Sequence, residues 1–336
     1  MRVSIKDVAR VAGVSHSTVS RALAHSPLIP EKTRRRIERI AQRLGYTPNA
    51  IARGLVTQHT RAIGVIVTSI SDPFVAEIVR GIEYVAGDRG YRVVLGTSHN
   101  DPEREVNAVK ALREWRVDAV IVASSRVGAL YQPLLKDIGA PIVLINNQSQ
   151  QNSRLIHSVI VDDVRGGELA TQYLLSLGHR VIGHIRGPAG YRATRNRLAG
   201  YRRALRQAGV TYDRTLVVDG DGRADGGEQI LQLLEHSPVP TAVFCYNDMT
   251  AIGALRALKR RGVRVPQDLS LMGFDNILFA AYVDPPLTTI AQPMFEMGQS
   301  AMQMALTLVQ NPRAAVQDLL IQGELIVRES TRSIKS

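Results

Sequence analysis

The stretch SIKDVARVAGVSHSTVSRALA, residues 4–24, decides the fold of the N-terminus. Small and apolar residues in its first half recur at the i, i+3, i+4, i+7 spacing that gives a helix one apolar face; they are Ile5, Val8, Ala9 and Ala12. Gly13 follows, and glycine accepts the backbone geometry of a tight turn. Ser15 is then placed to cap a second helix through its hydroxyl. The pattern predicts two short helices joined by a sharp turn.

The second helix of this stretch has an inward and an outward face. Its inward residues are Val19, Ala22 and Leu23, and its outward residues are His16, Ser17, Ser20 and Arg21. A small residue at the helix crossing (Ala9), a glycine at the turn and an apolar residue at Val19 match a helix-turn-helix. The second helix of that motif enters the major groove of DNA. A random amphipathic helical hairpin rarely satisfies all three constraints.

Positive charge is concentrated in the same region. Residues 1–61 hold 12 Lys and Arg against only Asp7, Glu31 and Glu38, a net charge of +9 out of +12 for the whole chain. A basic head on a nearly neutral body is typical of a protein that binds the DNA phosphate backbone. A membrane surface is the competing partner, but such a head calls for bulky apolar residues, and this one has no Trp or Phe.

Two further segments complete the head. SPLIPEKTRRRIERIAQRLGY predicts a third helix that Pro30 opens and Gly45 ends. In TPNAIARGLVTQHT, Pro48 fits the first position of a helix of barely two turns, a length that is not stable alone in water. The second segment is therefore predicted to be helical or disordered depending on what it touches, which makes it a candidate switch.

From residue 61 onward, strands alternate with helices. The predicted strands lie near 62–68, 91–97, 118–123, 141–145, 158–161, 180–185, 214–218, 241–246 and 269–273. The predicted helices lie near 74–89, 102–115, 128–138, 163–177, 194–208, 224–235 and 248–261. Continuous apolar strands such as AIGVIV and DAVIVA belong in parallel sheets covered on both faces. This pattern predicts two doubly wound α/β subdomains with a ligand between them, at the carboxyl ends of the strands.

The last third of the chain is predicted to cross back and complete the two sheets. Its pieces are a strand near 287–291, a helix near 293–309 and a strand near 318–327. A single cysteine, Cys245, rules out a disulfide within the chain. The N-terminus lacks the apolar segment of a signal peptide, and no apolar run is long enough to span a membrane. We therefore expect a cytoplasmic protein with no membrane partner.

The chain resembles the lactose/galactose repressor family (LacI/GalR) over nearly its whole length. The segments that carry the resemblance are IKDVARVAGVSHSTVSRAL, YTPNAIARGL, IGVIVTSISDPFVAEIVRGIE, LGHRVIGHIRGP, RLAGYRRAL, PTAVFCYNDMTAIGALRAL, VPQDLSLMGFDN, PPLTTIAQP and LIVREST. The resemblance implies an all-α helix-turn-helix domain followed by a body like a periplasmic binding protein, built from two doubly wound parallel-sheet subdomains. It also implies a homodimeric transcription regulator, in the family most often a repressor, that reads a near-palindromic operator in double-stranded DNA.

The resemblance gives the expected domain boundaries. Residues 1–47 form the helix-turn-helix domain, 48–60 the hinge helix and linker, and 61–336 the effector-binding and dimerisation domain. Within the last, the N-subdomain covers about 61–160 and 291–320, and the C-subdomain about 161–290 and 321–336.

The resemblance assigns the candidate DNA contacts. His16, Ser17 and Arg21 are expected to face base edges, and Arg21 can donate two hydrogen bonds to guanine, worth roughly 1–3 kcal/mol of discrimination. The alternative for Arg21 is a phosphate contact. Side chains that suit phosphate oxygens are Ser4, Thr18, Ser20, Asn49 and Arg53.

The hinge is expected to carry the mechanism. In the family, paired hinge helices enter the minor groove, and a leucine wedges between base pairs and kinks the DNA. Leu55 holds that position, and small Ala52 permits close approach of the paired helices. Effector binding is expected to change the angle between the subdomains and so the helicity of the hinges.

Family effector contacts match Asp72 and Phe74 after the first strand, Arg197 in RLAGY, Asn247 in YNDMT and Asp275 in GFDN. Phe74 offers an aromatic face to a ring of the ligand, and Arg197 can donate a pair of hydrogen bonds to ligand hydroxyls or to a carboxylate. Asn247 and Asp275 are expected to form hydrogen bonds with ligand hydroxyls. Asp248 is expected to cap the next helix. The alternatives are Phe74 as part of the core, Arg197 and Asp275 as a mutual ion pair, and Asn247 as a turn residue.

Two positions depart from the family pattern. Asn146 stands where many members carry an aspartate that binds effector, and Gly222 stands where some place a large aromatic residue over the ligand. Tyr191 or Tyr246 is the candidate replacement for that aromatic wall. A sugar or sugar-like polyol is the leading effector, and a purine or other metabolite acting as corepressor is the alternative.

Two other classes of function compete with the regulator. A solute-binding protein needs an export signal and has no basic three-helix head. An enzyme needs an acid/base or nucleophile arrangement, and neither this nor a metal-ligand spacing or cofactor motif appears in the sequence. We therefore expect a regulator without catalytic activity, metal or cofactor. Assembly beyond a dimer is not expected, because the chain lacks C-terminal leucine heptads.

Overall fold

The structure is a computed structural model that describes residues 3–46, 59–123, 140–147 and 156–334. The chain divides into two compact units, one within residues 1–61 and one within residues 62–336.

The N-terminal unit contains the three predicted helices. They are α1 (Ile5–Ala12), α2 (His16–Leu23) and α3 (Glu31–Arg43). Their small core consists of Val8, Ala9, Ala12, Val19, Ala22, Ile37 and Ala41. Gly13 has φ 63°, in the left-handed region where glycine is favoured, so the tight turn between α1 and α2 depends on it.

Hydrogen bonds fix the ends of α1 and α2. The Ser15 hydroxyl accepts from the backbone N–H of Thr18 at 3.1 Å, which is the predicted cap of α2. The carboxylate of Asp7 accepts from the backbone N–H of Ser4 at 3.0 Å and closes the start of α1. Arg36 of α3 donates to the carbonyl of Ala12 at 2.5 Å, so α3 satisfies the last turn of α1.

The first lobe of the larger unit is built on a six-stranded sheet. Its strands are β1 (Ala62–Val67), β2 (Arg92–Thr97), β3 (Ala119–Ala123), β4 (Ile142–Ile145), β5 (Ile156–Val161) and β11 (Leu319–Ile321). They lie in the order β11-β5-β4-β3-β1-β2, all parallel. Its described helices are α4 (Pro73–Asp88), α5 (Pro102–Glu114) and α10 (Met294–Gln310). The predicted helix near 128–138 lies outside the described residues.

The second lobe is built on a four-stranded parallel sheet in the order β7-β6-β8-β9. Its strands are β6 (Ile182–Arg186), β7 (Val217–Asp219), β8 (Ala242–Cys245) and β9 (Ser270–Met272). Its helices are α6 (Asp163–Ser176), α7 (Arg192–Gln207), α8 (Ile230–Leu234) and α9 (Asp248–Arg260). Both predicted parallel sheets are confirmed.

Three predictions about elements need correction. The single strand predicted near 318–327 is two strands, β11 and β12 (Glu324–Ile326). β11 extends the six-stranded sheet, as predicted, whereas β12 pairs antiparallel with β10 (Thr289–Ala291) in a separate two-stranded ribbon and belongs to neither main sheet. A 3-10 turn, Asp225–Gln229, precedes α8 where one continuous helix was expected, and another, Arg214–Leu216, precedes β7.

In the described residues the chain passes between the lobes at three crossings. The first lies between β5 and α6 at Asp162, the second between β10 and α10 at Gln292 and Pro293, and the third between β11 and β12 at Gln322 and Gly323. The backbone N–H of Asp162 donates to the carbonyl of Ile321 at 2.9 Å, which joins the first crossing to the third.

Candidate functional site

A cavity of about 640 Å³ lies between the two lobes. Side chains that follow strands of both sheets line it, as expected for parallel sheets whose carboxyl ends face a shared cleft. The structure brings together all the predicted effector residues in its lining: Asp72, Phe74, Asn146, Tyr191, Arg197, Asn247 and Asp275.

Arg197 is the buried cation of the cavity, with 3% of its surface exposed. Its Nε donates to Asp163 at 2.9 Å, its Nη1 donates to the carbonyl of Tyr246 at 2.6 Å, and the same Nη1 lies 3.6 Å from Asp275 Oδ1. The predicted alternative of a mutual Arg197–Asp275 ion pair is therefore realised, although both residues also line the cavity. Burial lowers the pKa of Arg197, but Asp163 and Asp275 outweigh it and raise the pKa overall.

Aromatic rings hold the Arg197 guanidinium from its faces. Its central carbon lies 3.7 Å from the ring centre of Phe274 and 4.7 Å from that of Tyr246. A guanidinium is planar and weakly hydrated, so it stacks on rings where an ammonium group does not. The two rings therefore fix the orientation of the Arg197 guanidinium, a hydrogen-bond donor that lines the cavity.

Asp275 is the cavity's most constrained acid. Its φ is 114°, unusual for a residue other than glycine. Its Oδ1 accepts from Gln292 Nε2 at 2.5 Å. Burial raises the pKa of Asp275 well above its usual value; Arg197 opposes the rise, and the carboxylates of Asp248 and Asp72 add to it.

The structure corrects the assignment of the helix cap after β8. Asn247, and not the predicted Asp248, caps α9: its Oδ1 accepts from the Thr250 N–H at 2.9 Å. Its Nδ2 donates to the carbonyl of Gly222 at 2.9 Å, so the side chain is committed to the protein as well as lining the cavity. Asp248 is buried below the cavity, where it accepts from Thr289 Oγ1 at 2.6 Å. Burial raises the pKa of Asp248 to about 7.

The first lobe contributes an acid, a ring and an amide to the cavity. Asp72 caps α4 by accepting from the Phe74 N–H at 3.0 Å, and burial raises the pKa of Asp72. Phe74 is 8% exposed, so it is both core and cavity wall. Asn146 has φ 57°, and its Oδ1 is buried without a hydrogen-bond partner among the described residues. An unpaired buried acceptor is costly, so this oxygen favours a ligand that donates a hydrogen bond.

Tyr191 and Tyr246 both line the cavity, as expected of candidates for the missing aromatic wall. The hydroxyl of Tyr191, in the second lobe, donates to Asn100 Oδ1 of the first lobe at 2.7 Å and so bridges the cleft. The ring of Tyr246 packs on two glycines: a Cβ at Gly187 would lie 2.5 Å from it and a Cβ at Gly222 3.3 Å. Gly222 also has φ 77°, so an aromatic side chain is disfavoured there on two grounds.

Several lining residues escape the sequence analysis. They include Thr68, Ser69, Ser71, His99, Asn100, Asp221 and Arg223. Their shared signal is position, since each lies at the end of a predicted strand or within a few residues after it. Asp163 was also missed: VDDVRGG contains two aspartates after a strand, only one of which, Asp162, is used as the helix cap. Because one aspartate is enough to cap the helix, the presence of Asp163 beside Asp162 could have indicated a second role.

The candidate DNA-reading helix α2 presents most of the predicted residues to solvent. His16, Ser17, Ser20 and Arg21 are exposed, and Thr18 is half-buried. Ser17 Oγ lies 2.8 Å from Ser15 Oγ, and the Ser4 hydroxyl donates to Asp7 at 2.7 Å. These two hydroxyls therefore already have partners within the protein. The hinge candidates Asn49, Ala52, Arg53 and Leu55 lie outside the described residues.

Neither a membrane-spanning helix nor a metal cluster is found among the described residues. None of the helices there is both long enough and apolar enough to cross a bilayer. In the same ranges, no group of three or more His, Cys, Asp or Glu side chains is arranged to hold a metal ion.

Comparison with known proteins agrees with the fold. A model of bacterial regulatory proteins of the lacI family matches residues 4–49, and a model of a periplasmic binding protein-like domain matches residues 171–331. The HTH-type transcriptional repressor CytR of Escherichia coli (strain K12) is 37% identical over 332 residues, covering 98% of this chain and 97% of CytR. Both the predicted fold class and the predicted resemblance are thereby confirmed.

Solved structures give the same result. The lac repressor dimer bound to operator and the anti-inducer ONPF matches with a TM-score of 0.88 at 30% identity, covering 99% of this chain and all of that one. The complex of the transcriptional regulator CelR with cellobiose matches with a TM-score of 0.75 at 32% identity, covering 98% of this chain and 100% of CelR. The chain belongs to the lacI family of bacterial regulatory proteins and is a transcription regulator of that type.

Proposed function

We propose that the cavity binds a sugar or sugar-like polyol, and that its occupancy controls how tightly a homodimer of this chain binds a near-palindromic operator. The observation that carries the proposal is the convergence of the Arg197–Asp275 pair with side chains of the opposite lobe on one cavity. Because the ligand contacts both lobes, its binding energy depends on their relative arrangement, which is the requirement for ligand control of a conformational equilibrium.

The chemistry of the lining supports a polyol. Asp275 and Asn146 supply acceptors for hydroxyl hydrogens, Arg197 supplies a donor, and the rings of Phe74 and Tyr191 offer apolar faces to the C–H groups of a sugar. CelR, which has the same fold, was solved with cellobiose. The charged groups Arg197, Asp163 and Asp275 are committed to one another, so we assign the cavity to binding and not to catalysis.

The DNA side of the proposal rests on the basic N-terminal unit and the exposed residues of α2. His16, Ser17 and Arg21 are proposed to read bases, and Ser4, Thr18 and Ser20 to contact phosphates. Selection of bound duplexes from a random-sequence library, followed by gel shifts at several salt concentrations, tests it. We expect one palindromic consensus, and affinity that falls steeply with salt. Weak binding without sequence preference would contradict the regulator function.

A thermal-shift assay of the full chain tests the effector class. The probes are ribose, galactose, cellobiose, cytidine and hypoxanthine, each at millimolar concentration. A probe present at 100 times its Kd stabilises the folded state by about 2.7 kcal/mol, a shift of several degrees in Tm. We expect a sugar to give that shift, and Asp275→Asn to abolish it. A shift with hypoxanthine alone would replace the sugar with a purine effector.

A further inference from the structure

Gln292 lies on the second crossing between the lobes and is almost fully buried, with 3% of its surface exposed. Its side-chain Nε2 donates to Asp275 Oδ1 at 2.5 Å, and its backbone N–H donates to the Asp275 carbonyl at 3.1 Å. The Asp275 N–H in turn donates to the carbonyl of Ile290 at 2.7 Å. Three hydrogen bonds therefore attach Asp275, one through its cavity-lining carboxylate and two through its backbone, to Gln292 and to the β10 residue Ile290 just before the crossing.

The other member of the cavity ion pair is attached to a different crossing. Arg197 Nε donates to Asp163 at 2.9 Å, and Asp163 is the residue that follows the first crossing. The first and third crossings are themselves joined by the Asp162–Ile321 hydrogen bond. The Arg197–Asp275 pair is thus hydrogen-bonded to residues at the first and second crossings, and the first crossing is bonded to the third. These crossings determine how the two lobes are arranged.

Two features of this cluster are unusual for a purely structural contact. Gln292 Oε1 is buried and has no hydrogen-bond partner among the described residues, so half of its amide is unsatisfied. Asp275 holds a left-handed backbone conformation that aspartate adopts at a cost. Strained or unsatisfied groups persist where the surrounding structure forces them, and they concentrate at ligand and switch sites.

We propose that Gln292 is a positioning residue that couples the cavity to the crossings, an inference that rests on the proposed function of the cavity. A ligand hydroxyl that forms a hydrogen bond with the Asp275 carboxylate shares this acceptor with the Gln292 side chain. Ligand binding therefore changes the hydrogen bonding of the second crossing directly. Loss of the Gln292 donor releases this crossing, shifts the equilibrium between lobe arrangements and changes operator affinity without any contact to DNA.

The test compares operator binding by full-length Gln292→Met and Gln292→Glu with that of the unmodified protein, using the duplex obtained by selection. Met removes the donor at similar volume, and Glu replaces it with a second carboxylate beside Asp275. We expect each to change the operator Kd at least fivefold in the folded protein. Gln303→Met and Gln303→Glu, at an exposed position of α10, are the matched controls and should leave Kd within twofold.

The pH profile separates coupling from mere support of the fold. Once protonated, the carboxyl group introduced by Gln292→Glu can donate to Asp275 again, so the ratio of this variant's Kd to that of the unmodified protein should fall toward one as the pH is lowered. Arg197, Asp248 and Asp72 also act on Asp275, but they do so in both proteins, so their titration cancels in this ratio. A role in stability alone lowers Tm and leaves the Kd of the folded protein unchanged at every pH. If Gln292→Glu does not fold, Gln292→Met decides the question.

The outcomes distinguish this inference from the proposed function. If the unmodified protein selects no duplex, the DNA-binding proposal falls and the coupling falls with it. If the unmodified protein binds its duplex and both folded Gln292 variants bind it within twofold of that affinity, only the coupling is overturned.

Discussion

Arg197 illustrates, at the scale of single residues, how a buried charge is made tolerable. The cost of removing a guanidinium from water is offset by Asp163, by Asp275 and by the Tyr246 carbonyl, with Phe274 stacked on its face. Each of these contacts uses a feature that lysine lacks: the planar fork or the stacking face.

Arg197→Lys is therefore expected to destabilise the protein by about 2–4 kcal/mol, because it leaves buried acceptors unsatisfied and one carboxylate poorly compensated. Urea denaturation followed by circular dichroism measures the change. Arg195→Lys, at an exposed position of the same helix, is the control and should change stability by less than about 0.5 kcal/mol. Equal stability of the two variants would show that the fork geometry of Arg197 is unimportant.

A second residue-scale prediction concerns His184, which is fully buried. Its ring stacks between those of Tyr201 and Phe244, with centroids 5.3 and 4.9 Å away, and its Nδ1 lies 2.8 Å from the Phe244 carbonyl. Burial lowers the pKa of His184 to about 4 from its usual 6.5. Between pH 6.5 and pH 4 the histidine binds a proton in the unfolded chain but not in the folded protein. The contribution of neutral His184 to the free energy of unfolding is therefore lost as the pH falls from 6.5 toward 4.

The expected loss attributable to His184 is about 2 kcal/mol between pH 7.5 and pH 5. Asp248 acts in the opposite direction, because its folded pKa of about 7 lies above its usual value and favours the folded state at low pH. Comparing variants at both pH values cancels that contribution. His184→Phe should lose about 2 kcal/mol less than the unmodified protein over this interval, whereas His25→Gln, at an exposed position, should follow the unmodified protein.

Local sequence predicted the residues of the cavity better than their partners. Asp72, Arg197 and Asp275 follow strands or lie in distinctive segments, and all line the cavity. The partners Asp163 and Gln292 were missed because each acts through a residue distant in sequence, 34 positions away for Asp163 and 17 for Gln292. The Asn247–Asp248 reversal has a similar cause, since either side chain suits a cap and only tertiary contacts send Asp248 inward.

At the scale of elements, helices α4 and α10 pack through glycines on both surfaces. A Cβ at Gly81 would lie 2.0 Å from the Phe295 carbonyl oxygen, and a Cβ at Gly298 would lie 2.0 Å from that of Ile78. Such distances are far shorter than van der Waals contact, and the obstructing atoms belong to the backbone. A side chain at either glycine would therefore force the two helices apart. Their close approach places α10, immediately after the second crossing, firmly in the first lobe.

Gly298→Ala is expected to destabilise the protein by at least about 2 kcal/mol, because overpacking outweighs the better helix propensity of alanine. Gly87→Ala tests the same substitution in α4 where no atom lies within 4 Å of the new Cβ. That control should be neutral or stabilising by up to about 1 kcal/mol. Denaturant midpoints measure both, and a tolerated Gly298→Ala would contradict the packing described.

Strands were predicted correctly where the sequence is continuously apolar. They were predicted wrongly where the end of a strand depends on which neighbouring strand it pairs with. AIGVIV and DAVIVA gave β1 and β3, because a fully buried parallel strand leaves an unbroken apolar run. The run near 318–327 also reads as one strand, but Gly323 lies where a Cβ would be 2.8 Å from Ile290, at the third crossing between the lobes. No local pattern reports that its two halves pair with different sheets.

At the scale of the whole molecule, an exposed apolar patch bears on the proposed homodimer. Leu278, Phe279 and Tyr282 are 67%, 51% and 78% exposed and lie within five consecutive positions of the second lobe. Exposed apolar residues grouped in this way mark interfaces more often than free surface. We therefore expect this patch to contribute to the contact between the two copies of the chain.

Tyr282→Asp is expected to produce a monomer at micromolar concentration, since a charge would then replace an apolar side chain in the expected interface, and a two-fold axis would repeat the change on both copies. A monomer presents one reading helix to a palindromic site and loses the second set of contacts, so operator affinity should fall at least about 100-fold. Sedimentation measures the assembly and gel shifts measure the affinity. Val239→Asp, at an exposed apolar position outside the patch, should remain dimeric and bind normally. A Tyr282→Asp protein that stays dimeric would move the interface elsewhere, whereas a monomer that binds its operator at full strength would refute the two-fold recognition itself.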